Sequence, residues 1–174
     1  MRSSTALLAG AFTLALAVGA EARGPGFAGP HVRALDPAAA ALMAEGQQKS
    51  ATVRDLFKKL DGTDIVAYVR IAPPSAGTPK AAFTFVSNSK VVRFVMASIS
   101  GDLPADRRIE LLAHELQHAV DVARLPWVTD NVQFQNYLSH TGWRDATTAA
   151  GYETATASRA ERQARKEVRG VSLP

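Results

Sequence analysis

Residues 114–118 read His-Glu-Leu-Gln-His, and this spacing carries meaning only on a helix. Positions i and i+4 share one helix face, with Cβ atoms roughly 5–6 Å apart. Two imidazoles placed there can converge on a single metal ion. The surrounding sequence predicts that helix over about Pro104 to Leu125. Pro104 suits the first turn, Asp106 favours the positive end of the dipole, and Pro126 ends the helix. The main apolar stripe is Leu112, Leu116, Ala119 and Ala123, and the histidines face away from it. Leu111 and Val122 flank the histidine side, so another element is expected to cover part of that side.

Composition narrows the chemistry further. The chain has 174 residues, enough for one domain with a real core. Apolar residues make up 47% and charged residues 21%, the balance of a folded globular protein. With no cysteine, disulfides, thiolate metal sites and cysteine nucleophiles are excluded. A metal site must therefore draw on carboxylates and the 4 histidines: His31, His114, His118 and His140. The net charge of +4 is mildly basic. Its only dense run is Arg159, Arg162, Arg165, Lys166 and Arg169, which reads as a solvated helix face. No specific nucleic-acid binding is expected from it.

The chain opens with Arg2, then runs apolar and uncharged from about Ala6 to Ala20, followed by Ala20-Glu21-Ala22. This is the three-part pattern of a secretory signal peptide at 1–22. The apolar run is shorter than the roughly 20 residues a membrane helix needs. The expectation is an exported protein, periplasmic or secreted, with no stable membrane span after cleavage. Residues 23–36, with Gly24, Pro25, Gly26, Gly29 and Pro30, read as a flexible leader in which His31 is incidental. The folded domain is placed at 37–174.

Within that domain, 37–60 reads as helix, in two pieces interrupted near Gly46, with Ser50 able to cap the second. Strands are expected at Ile65 to Ala72, Ala82 to Val86 and Val91 to Ile99. Ser87-Asn88-Ser89-Lys90 joins the last two as a hairpin. A short helix follows at about Asn131 to Ser139, stopped near Gly142, and a final helix at about Tyr152 to Arg169, capped by Gly170. The fold class is α+β: a small antiparallel sheet packed with the 114–118 helix and a C-terminal helix.

On the predicted helix, His114 and His118 can hold a zinc ion at roughly 2.0–2.1 Å. Glu115 stands about 100° round the helix, so it misses the metal but can reach a water bound there. Residues 111–120, Leu-Leu-Ala-His-Glu-Leu-Gln-His-Ala-Val, resemble the zincin superfamily of zinc metallopeptidases, which carries this motif among uncharged neighbours. The resemblance implies one Zn²⁺ per chain, Glu115 as general base, and hydrolysis of a peptide bond in a peptide or protein substrate. It also implies a small antiparallel sheet whose edge strand can bind extended substrate.

A catalytic zinc usually has three protein ligands and an open position. Ala119 to Leu125 offers neither the glycine nor the third histidine of the metzincin branch. The gluzincin branch takes a glutamate from a later helix, and the favoured candidate is Glu153. On the final helix it would begin the stripe of Ala157, Ala160, Ala164 and Val168. Glu161, Asp145 and His140 are the rivals. The branch often has an aspartate four residues after the ligand, where this chain has Ala157; Asp121 could support a histidine instead. His140, Tyr137 and Tyr152 are candidate oxyanion donors, and Trp127 and Trp143 are expected to anchor the connecting segment. Two other readings remain open: a non-catalytic zinc-binding domain, and an envelope-binding module using the basic final helix.

Overall fold

The structure, a computed structural model, describes residues 29–74, 79–89, 91–144 and 152–170. The expected signal peptide and Asp145 lie outside them. In chain order the elements are β1 (Val32–Ala34), α1 (Pro37–Lys49), α2 (Ala51–Leu60), β2 (Ile65–Ala72), β3 (Ala81–Asn88), β4 (Arg93–Ser100), α3 (Ala105–Ala123), α4 (Asn131–Thr141), β5 (Trp143–Arg144), β6 (Tyr152–Glu153) and α5 (Ala155–Val168). The class is α+β.

The main sheet is mixed rather than antiparallel, with order β1-β2-β4-β3. β3 and β4 form the expected antiparallel hairpin, but β2 runs parallel to both β1 and β4. The helical pair α1–α2 carries the chain from β1 back to β2, and such a crossover makes neighbouring strands parallel. β4 then returns from the hairpin into the gap between β2 and β3. β2 is accordingly central, with Ile65, Val66, Ala67 and Val69 all buried.

β1 corrects the expectation of a flexible leader through residue 36. Val32 is buried and pairs with Ala67, and His31 is buried with its Nδ1 2.8 Å from the carbonyl oxygen of Ile65. Asp36 fastens the same segment twice. Its Oδ1 accepts from Ala39 N–H at 2.7 Å as the N-cap of α1, and its Oδ2 accepts from Ile71 N–H at 3.0 Å.

The break between α1 and α2 falls at Ser50, not near Gly46. Ser50 Oγ accepts from Val53 N–H at 3.1 Å and donates to Glu167 Oε2 at 2.6 Å, joining the start of α2 to α5. Gly46 instead permits close packing, since a Cβ there would stand 3.3 Å from Leu112 Cδ2 on α3.

α3 is the central helix. Every residue from Ile109 to Val122 is buried except Gln117, because α1, α2, α5 and the sheet surround it. A helix covered on all sides must be apolar or must pair its polar groups. Arg93 fastens the turn after α3 to the sheet. Its guanidinium bonds both carboxylate oxygens of Asp64 at 2.7 and 2.8 Å, and the carbonyls of Leu125 and Val128 at 2.8 and 2.7 Å. Among the described residues no helix is long and apolar enough to cross a membrane.

Candidate metal centre

α3 carries His114 and His118 one turn apart, with ring centroids 5.0 Å apart and planes at 77°. Glu153 meets them from β6, which pairs with β5 through Trp143 and Glu153. The expectation that Glu153 begins the final helix is therefore corrected. Thr154 is the N-cap, its Oγ1 accepting from Ala157 N–H at 3.2 Å, and α5 starts at Ala155. The β6 ribbon, not a helical stripe, aims the carboxylate.

Glu153 Oε2 lies 2.9 Å from His114 Nε2, and Oε1 lies 3.4 Å from His118 Nε2. The donor atoms of the three residues all lie within 4.8 Å of one another, and all three residues are buried. Bonds of roughly 2.0–2.1 Å at tetrahedral angles separate ligand atoms by about 3.3 Å. Two imidazoles and a carboxylate are also the donor set of catalytic zinc sites. The residues therefore fit such an ion.

Glu161, a rival for the third ligand, lies behind His114 instead. Its Oε2 is 2.9 Å from His114 Nδ1, which leaves Nε2 directed at Glu153. In metal sites a carboxylate in this position fixes the ligating imidazole from its far side. Arg107 and Arg165 hold Glu161 in turn, Arg165 Nη2 donating to Oε1 at 2.8 Å.

The same two arginines reach Glu110, a fully buried carboxylate that sequence reasoning missed. Arg107 Nη1 donates to it at 2.7 Å, Arg165 Nε at 3.0 Å and Arg169 Nη2 at 3.4 Å. A buried carboxylate needs such pairing to stay charged. So Arg165 and Arg169 are not simply part of a solvated face. Glu110 stands one turn before His114, and that i, i+4 spacing is the signal that could have found it.

His118 is held differently. Its Nδ1 is buried and has no hydrogen-bond partner among the described residues, and its ring lies 5.9 Å from Phe83 and 5.6 Å from Phe134. Asp121 does not support it. Asp121 accepts from Gln117 Nε2 at 2.8 Å and from Thr156 Oγ1 at 2.5 Å.

Burial opposes charge at His114, Glu153 and Glu161, and at these three the hydrogen bonds prevail. Although burial disfavours its cation, bonds to Glu153 and Glu161 push His114 up to about 10. Burial would likewise raise both carboxylates, yet His114 and His118 bring Glu153 down to about 2. His114 and Arg107 bring Glu161 down to about 2. Glu115 behaves oppositely. Burial raises its pKa, and the charges of His114 and His118 only partly offset that.

His114, His118, Glu115, Glu153 and Glu161 all line one cleft of about 650 Å³ between β3, α4 and α5. β3 is the sheet edge there. Ser100 N–H bonds Lys80 C=O, whereas Asn131 Oδ1 accepts from Phe85 N–H at 2.8 Å. Backbone direction alternates along a strand, so the polar groups of Ala81 and Phe83 face away from β4. Asn131 caps this edge at Phe85.

No protein-family model, curated protein or solved structure matches this chain.

The remaining candidates scatter. His140 is exposed on α4, its Nδ1 2.6 Å from Asn136 C=O, outside the donor cluster. Tyr137 stacks on Phe134 and meets Trp127 edge-on, and it does not line the cleft. Tyr152 does line it. Trp127 and Trp143 are 54% and 45% exposed, so neither is a buried anchor.

Proposed function

We propose that this protein is an exported zinc metallopeptidase, with one Zn²⁺ held by His114, His118 and Glu153 and with Glu115 as general base. The observation that carries the reading is the convergence of two imidazoles and a carboxylate in a cleft that also contains Glu115 and an open strand edge. Export rests on the sequence pattern at 1–22.

Zinc, when bound, supplies Lewis acidity: it polarises a carbonyl and acidifies a water. The chain's own residues do the rest. As an acceptor, Glu161 would keep a proton on Nδ1 of His114 and leave the Nε2 lone pair to face the ion beside Glu153. Glu115 takes a proton from the attacking water and passes it to the leaving amine. Burial raises its pKa, which favours its accepting a proton. An extended peptide pairs with the edge of β3 at Ala81 and Phe83, which sets the scissile bond against the floor of the cleft.

Glu115→Gln separates this reading from that of a non-catalytic zinc domain. The variant keeps its zinc and loses peptide hydrolysis by about 10²-fold or more. Full activity in the zinc-loaded variant would contradict the mechanism.

A further inference from the structure

We infer that the cleft selects a peptide bearing a carboxylate, which docks on Arg162. This deepens the peptidase reading above and rests on it.

Among the described residues the cleft is lined by four cationic side chains, Lys80, Arg107, Arg162 and Arg165, and by three carboxylates, Glu115, Glu153 and Glu161. Three of the cations are already engaged. Lys80 Nζ pairs with Asp102 at 2.8 Å, and Arg107 and Arg165 share Glu110 and Glu161. Arg162 is exposed and has no ion-pair or hydrogen-bond partner among the described residues.

None of the lining carboxylates is placed to neutralise it. Glu153 lies between the histidines, Glu161 is bound by His114 and the two arginines, and Glu115 is buried. With Asp102 and Glu110 counted beside the lining residues, the acids offset the paired cations and Arg162 is the positive charge left without a partner; a divalent ion on the donor triad would add to it and favour anionic ligands.

Arg162 lies one turn beyond Ser158 on α5, and both line the cleft wall that β3 does not form. A peptide on the β3 edge can therefore present an anionic group across the cleft. In a peptide that group is a carboxylate, and the planar guanidinium fork matches carboxylate geometry. It comes from an acidic side chain or from a free C-terminus.

The test uses the full zinc-loaded protein carrying Glu115→Gln, so that bound peptide is not cut. Three alanine-rich probes are titrated calorimetrically: an amidated peptide with a central Glu, its Gln counterpart, and the Gln peptide with a free C-terminal carboxylate. At least one carboxylate probe binds about tenfold more tightly than the neutral amide. The Glu probe points to a side-chain site and the free acid to a C-terminal one. Arg162→Ala removes the preference, and Arg162→Glu turns it towards a Lys-containing probe. Arg159→Ala, on the same helix but outside the cleft, leaves it intact. Equal binding of all probes, no binding of any, or a preference that survives Arg162→Ala overturns the inference. Zinc content is measured on the same samples. Loss of zinc contradicts the metallopeptidase reading, whereas loaded protein indifferent to carboxylate contradicts only the role of Arg162.

Discussion

Gly142 and Glu153 approach so closely that a Cβ at 142 would stand 2.3 Å from the carbonyl oxygen of Glu153. The same Cβ would lie 2.8 Å from the carbonyl oxygen of Leu138. Both contacts are backbone, so no flexible side chain can yield. The glycine that stops α4 therefore also sets where the third candidate ligand passes the histidines.

Gly142→Ala should accordingly displace β6. We expect about 1–3 kcal/mol of lost stability from the overlap, together with weakened zinc binding. Gly62→Ala is the comparison. Its φ of +80° makes alanine strained, but among the described residues nothing lies within 4 Å of the added carbon. That variant should lose about 1 kcal/mol and keep its zinc affinity. Thermal unfolding and zinc titration of both variants check the contrast.

Glu161→Gln keeps the shape of the side chain behind His114 and removes its charge. Zinc affinity should fall about 10–100-fold, as for the loss of comparable outer partners in other metal sites. Competition with a chelator of known affinity measures it. An unchanged affinity would mean that the 2.9 Å contact does not tune His114.

Glu167 predicts a pH dependence remote from the candidate metal site. It accepts from Ser50 Oγ, from Thr52 N–H and Oγ1, and from Gln163 Nε2. Burial would raise its pKa, but these bonds lower it on balance. A carboxylate lowered on folding stabilises above its unfolded value, and that contribution is lost as pH falls through the folded value. Urea unfolding should show native protein ahead of Glu167→Gln by about 1 kcal/mol at pH 7. The gap should shrink as pH falls below the ordinary carboxylate range.

Local patterns were legible in the sequence, and long-range pairings were not. The 114–118 spacing placed both imidazoles on one face of α3, and the Val- and Phe-rich arms located the β3–β4 hairpin. Nothing in the periodicity of Ile65 to Ala72 says which strand it will pair with, so its parallel register was hidden. A carboxylate at the start of an apolar stripe needs a partner, which points to Glu153, but its strand is not visible in the pattern. A strand of two residues, Tyr152–Glu153, leaves no periodic trace beside a helix. Thr154, a good N-cap, was the available sign that α5 starts after it. Glu110 and Arg165 are 55 positions apart, a separation at which sequence spacing gives no guide.

The central claim is that His114, His118 and Glu153 form a zinc site. Its most direct test is the zinc content of the purified native protein after loading and dialysis, beside a His114→Ala/His118→Ala variant. About one zinc per chain in the native protein and none in the variant is the predicted result. Absence of retained zinc in the native protein, or equal retention in both, would contradict it.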